Sequence, residues 1–220
     1  AGAVLGAFRR HAEAGNAPVL VVPTAADRDA YELEMLGHGA LIGGRVVTWE
    51  GLVGLLARRT GVGERLIGPL RRRTLVRKAV TAAAGSLSTL GGSATAVGFV
   101  PILESLFRET GRAGLDAARL GEVEFDGDDE RRQELVTLLG AYEAELAEAG
   151  VVDRERQALA VLEHIERTPG LWDGRPLMAY GFSEFTVVQR RVISAISKVS
   201  EVVVSLPADG RASVGLAEHT

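Results

Sequence analysis

The sequence predicts an α/β sheet interrupted by an all-helical insertion, and three observations carry that prediction. Short apolar runs without polar alternation, PVLVV at 18–22, RVVT at 45–48, PLMAY at 176–180 and EVVVSL at 201–206, lie toward the two ends of the chain. Such runs suit strands covered on both faces of a parallel sheet. Helical periodicity fills the spaces between them within each end, which implies right-handed crossovers. From 63 to 168 the strand signal is gone and only helical spacing remains. The expected organisation is an α/β domain in two segments, 1–62 and 169–220, with a helical subdomain at 63–168.

Val4, Leu5, Phe8 and Ala12 recur at helical spacing, and Gly15-Asn16 ends that first helix. Thr24 ends the first strand, and a helix follows over 26–36, with Ala30, Leu33 and Met35 expected on or near its buried side. A glycine-rich turn at 37–44 leads to the second strand and a helix over 49–58 carrying Leu52, Val53, Leu55 and Leu56. Four amphipathic helices follow, at 69–84, 94–110, 128–149 and 154–167. Leu135, Leu138, Leu139, Tyr142 and Leu146 give the clearest apolar stripe. The Gly/Ser/Thr stretch 85–93 and the acidic stretch 122–130 read as surface loops. The third strand, a turn at Gly181, a helix over 187–197 and the fourth strand complete the order.

Composition narrows the chemistry. A chain of 220 residues can bury a sizeable core. No apolar run approaches the ~20 residues that cross a bilayer, so no membrane partner is expected. There is no cysteine, hence no disulfide or thiolate metal site, which suits a cytoplasmic protein. The net charge of −4 argues against indiscriminate binding to nucleic acid. Only Lys78 and Lys198 are lysines, and neither follows a glycine loop of the phosphate-cradling G-x-x-x-x-G-K-[ST] kind. His11, His38, His164 and His219 have neither ligand spacing nor a paired acid. No catalytic residue, metal site or cofactor is expected.

The stretch 175–189, RPLMAYGFSEFTVVQ, carries the most specific signal. It resembles the acidic motif of UvrD-like superfamily 1 helicases, D-E-F-Q-D-T-N-x-x-Q, in register over ten residues. Phe182 and Gln189 fall on that motif's Phe and Gln, and Glu184 on its second Asp. Tyr180 and Gly181 replace its Asp-Glu pair, which in the family holds magnesium and activates water. PVLVVPTAADRDAYELEM is similar to the T-F-T-x-x-A-A-x-E-M motif, and VVTWEGLV to T-F-H-S-F, with Trp49 for the aromatic. Tyr142, Leu146 and Asp153 match Y-x-x-x-L-x-x-x-x-x-x-D-x-x-D-L, whereas Arg156-Gln157 departs from its close. SLPADG at 205–210 stands where active helicases carry G-D-x-x-Q.

The resemblance implies a RecA-like parallel sheet, the P-loop NTPase-like first helicase domain, with its ATPase chemistry removed. The departures, together with the GFSEFT turn, resemble the N-terminal domain of AddB/RexB-type helicase–nuclease subunits, whose chains often carry a PD-(D/E)XK nuclease domain much later. The chain opens at Ala1, directly into helix, so a strand and a P-loop or its relic are expected upstream. The implied function is an ATPase-dead scaffold in DNA recombination or repair, guiding single-stranded DNA or docking a helicase motor subunit. The rivals are an active ATPase with its P-loop upstream and an α/β small-molecule-binding domain unrelated to DNA. Candidate nucleic-acid contacts are Thr24, Thr48 and Trp49 on the strand-end loops, and Arg73 and Arg77 within the basic run Arg71, Arg72, Arg73, Arg77 and Lys78. Each has a plainer reading as a turn-closing threonine, a packing tryptophan or a solvated arginine face. A lone carboxylate such as Glu184 binds magnesium poorly.

Overall fold

Strands form where the apolar runs stand, and they pair in parallel. The computed structural model describes residues 2–36, 43–62, 65–124 and 129–206. The glycine-rich segment 37–42, acidic residues 125–128 and everything after Leu206 lie outside the described residues. The sheet comprises β1 (Val19–Val22), β2 (Arg45–Thr48), β3 (Leu177–Ala179) and β4 (Val202–Val204), in spatial order β2-β1-β3-β4. Val19 aligns with both Arg45 and Leu177, and Leu177 in turn with Val202. The predicted four-stranded parallel sheet is therefore present.

The chain divides into two units, 1–61 with 161–220, and 62–160, the division falling within one helix, α8 (Arg154–Arg167). In the first unit, α1 (Gly2–Glu13) packs on β3, and α2 (Ala25–Leu36) on β1 and β2. Val4, Leu5, Phe8, Leu20, Val22, Met35, Val46 and Met178 make one buried cluster. The alternate strand residues, Val19, Val21, Val47, Leu177 and Ala179, are also buried. α3 (Trp49–Thr60) packs against β1 and β2, and α9 (Val187–Ser197) against β4. Full burial of β1 and β3 explains why their sequences show no polar alternation. β4 differs: its valines are half-buried or exposed, and among the described residues it pairs on one side only.

The second unit is helical, with one isolated parallel bridge, Leu66 to Val152. It contains α4 (Pro69–Ala83), α5 (Phe99–Arg112), α6 (Ala117–Glu122) and α7 (Asp129–Glu148). Leu75, Val76, Ala79, Leu103, Phe107, Leu138, Leu139, Tyr142 and Leu146 fill its core. Phe107 stacks on Tyr142 with ring centres 5.3 Å apart. The stripe expected on α7 is thus the buried one, with Leu135 at its margin.

Three expectations need correction. The helix foreseen at 94–110 starts only at Phe99. Pro101 is tolerated in a first turn, but its ring would clash with the Val97 carbonyl were the helix continued backward. On α2, Ala30 is exposed and Leu33 is 72% exposed, whereas Met35 is buried. Leu33 and Met35, two residues apart, sit about 200° around a helix and cannot share a face. The short helix α6 was not foreseen, because six residues are too few to display a period; Asp116, which accepts from the Arg119 N–H at 2.7 Å, was its only local signal.

Candidate nucleic-acid interface

The carboxyl ends of β1, β2 and β3 all meet a helix start through a threonine. Thr24 donates its hydroxyl to the Asp27 carboxylate at 2.6 Å and accepts from the Asp27 N–H at 3.1 Å. Its own N–H donates to the same carboxylate at 3.1 Å. Thr48 caps α3 by accepting from the Gly51 N–H at 3.2 Å. Thr186 caps α9 by accepting from the Gln189 N–H at 3.3 Å, and the Gln189 side-chain oxygen accepts from the Thr186 N–H at 2.8 Å. These caps, reciprocal at Thr24–Asp27 and Thr186–Gln189, satisfy amides that a helix start otherwise leaves open. Because three such helices start at one edge, their positive dipole ends share that edge.

The edge is continuous. Val22 aligns with Thr48 across β1 and β2, and the Tyr180 N–H donates to the Val21 carbonyl at 3.0 Å. Gly181 then turns the chain with φ 85°, a left-handed conformation, and a β-carbon there would stand 3.4 Å from the Pro23 ring. Glycine is the residue such a turn demands. Tyr180 is half-buried and meets the Tyr31 ring edge-on, with centres 5.5 Å apart. Burial, then the Tyr180 hydroxyl, pushes the Tyr31 phenol pKa up. Tyr180 is therefore occupied in packing and Gly181 in turning the backbone. Glu184 is exposed beyond them.

Phe182 is buried and stacks on half-buried Phe185, ring centres 4.8 Å apart. Arg190 steadies this turn by donating to the Phe185 carbonyl at 2.7 Å. Phe185 was not singled out as a contact in the sequence; the signal that could have found it is its place three residues after Phe182 in the GFSEFT turn. Trp49 is half-buried at the first position of α3, beside Thr48. The hydroxyl of Thr24 is used both as donor and as acceptor, and the Asp27 carboxylate beside it repels phosphate. Thr48 uses its oxygen as acceptor, and among the described residues its O–H donates to no protein group. Aromatic faces beside helix starts at a strand edge can hold a nucleobase and its phosphate.

Arg73 and Arg77 belong to the helical unit, exposed on α4 opposite buried Leu75 and Ala79. The basic run does not form one positive face. Arg72 turns inward to Glu155 at 2.7 Å and Asp153 at 3.5 Å, Arg73 pairs with Glu104 at 3.1 Å, and Lys78 with Glu145 at 3.5 Å. Among the described residues no cluster of three or more His, Asp or Glu stands ready to hold a metal ion, and no helix is long and apolar enough to cross a membrane.

A parallel α/β sheet with capped helix starts along one edge, and a helical unit inserted in sequence between its strands, defines a class of domain rather than a reaction. The family model described as ADDB, N-terminal, matches residues 10–219, and the chain belongs to that family. It is thereby part of an AddB-type helicase–nuclease subunit of DNA recombination and repair. Comparison with the curated proteins finds no match.

Proposed function

We propose that this is a RecA-like helicase domain without ATPase chemistry, which guides single-stranded DNA along the carboxyl edge of its sheet. One observation carries the reading. Where the UvrD-like acidic pair would stand, Tyr180 packs on Tyr31 and Gly181 holds a left-handed turn against Pro23. The edge itself keeps its threonine caps and half-buried aromatic residues. Chemistry has been given up while the strand-end surface is retained. Among the described residues β4 pairs on one side only, which suits the further parallel strand that a RecA-like sheet requires.

Thr48 and Trp49 are the principal contacts in this reading, Thr24 contributes its backbone more than its hydroxyl, and Phe185 adds a second aromatic face. Binding is weak and confined to single strands, since a net charge of −4 supplies little general attraction. The test is a fluorescence titration of a labelled oligonucleotide at two salt concentrations. Trp49→Ala is expected to weaken binding by ~1–3 kcal/mol, about one stacked base, with little change in salt slope. Unchanged affinity in Trp49→Ala, or no single-strand binding at low salt, would leave a domain that docks a motor subunit and does not touch DNA.

A further inference from the structure

The helical unit carries a groove that the strand-end site does not use. It is about 560 Å³ in volume and lies between α4 and α5, lined by Val80, Val97, Val100 and Pro101, with Arg73 and Arg77 on its α4 side. Its surroundings are unusually apolar for a free surface. Val97, which lines the groove, is 98% exposed, and Leu70, one turn before Arg73 on α4, is 83% exposed. Leu70, Arg73 and Arg77 follow the i, i+3, i+7 spacing of one helix face. Single exposed apolar residues need no explanation, but several gathered about one groove mark an interaction surface.

We propose that this groove docks a short acidic amphipathic helix of a partner protein. Charge complementarity selects that occupant. Arg73 is already neutralised by Glu104, so the net positive charge at the rim is that of Arg77, whose guanidinium has no acid beside it among the described residues. One net charge is too little for a phosphate track, where affinity scales with the number of phosphates neutralised. No aromatic residue lines the groove, whereas single-strand sites combine cations with stacking rings. A helix laid in a groove instead anchors through apolar side chains at one-turn spacing. A carboxylate one turn from those anchors reaches Arg77 and shares Arg73 with Glu104.

The test uses the full AddB-type chain in its own cells, with photoreactive benzoylphenylalanine in place of Val97. The expected adduct is with a protein segment that has apolar residues at i and i+3 or i+4 and a carboxylate within one turn of them. Arg77→Glu should lower the yield roughly tenfold, as loss of a rim charge pair can, while Arg112→Glu elsewhere on α5 leaves it unchanged. Thermal unfolding of each variant checks that the fold is intact. Replacing the partner's carboxylate by arginine should restore the adduct with Arg77→Glu. No adduct, an adduct with nucleic acid, a segment lacking the carboxylate, or a yield indifferent to Arg77→Glu would each overturn the proposal. A flattened salt dependence of single-strand binding on removing Arg73 and Arg77 would do so too.

Discussion

Glu134 is buried on α7 and accepts from four donors of one turn, the Ser88, Thr89 and Leu90 amides and the Ser88 hydroxyl, at 2.6–2.8 Å. Burial by itself raises a carboxyl pKa, but the amides of Thr89, Leu90 and Ser88 with the Ser88 hydroxyl outweigh it and hold Glu134 at about 2. A folded value below the unfolded one means its contribution is complete above about 4.5 and is lost as pH falls toward about 2. Glu134→Gln should therefore be less stable than the parent at neutral pH, and urea unfolding should show the gap closing across that window. A gap independent of pH would refute the assignment. At Gly181 the constraint is backbone conformation rather than charge. Gly181→Ala should cost about 1 kcal/mol or more, whereas Gly92→Ala, with open space and no left-handed φ, should cost little.

Asp153 connects two helices. It caps α8 by accepting from the Arg156 N–H at 2.8 Å, takes the Tyr142 hydroxyl at 2.7 Å and faces Arg72 at 3.5 Å. Tyr142 is driven to a higher pKa by burial and then by the Asp153 charge, so it stays a donor. The Tyr–Asp match seen in the sequence thus corresponds to a buried hydrogen bond between α7 and the start of α8. Asp153→Ala should destabilise by about 3 kcal/mol, because it strips a cap and leaves buried Arg72 with Glu155 alone. Asp116→Ala, which removes the cap of α6 and a partly exposed ion pair with Arg119 at 3.6 Å, should cost about 1 kcal/mol. Chemical denaturation of the two variants separates these values; equal costs would mean that Asp153 acts as a cap and nothing more.

For the whole chain, the expected outcome is no ATP hydrolysis above background. Phosphoryl transfer depends on positioned magnesium and a phosphate cradle; these 220 residues contain no lysine loop, and positions 180 and 181 are Tyr and Gly, not Asp and Glu. Tyr180→Asp with Gly181→Glu should not create turnover, because the lysine loop stays absent and residue 181 must still turn with φ 85°. A phosphate-release assay checks this, and turnover from the purified chain would overturn the reading.

The sequence alone determined the alternation of strands and helices, because fully buried parallel strands are written as unbroken apolar runs and buried helix faces as a 3.6-residue period. It also carried the resemblance to the AddB-type N-terminal family, through short motifs such as the GFSEFT turn. What it could not decide were contacts closed by the third dimension. Arg72 and Arg73 are neighbours in one basic run, yet one enters a buried network and the other pairs with Glu104 at the surface. Leu33 and Met35 were equally eligible for the core until helix packing chose between opposite faces. Local patterns record which groups must be buried or capped; only the packed chain fixes which partner each one meets, because those partners lie tens of residues away and are selected by geometry rather than by type.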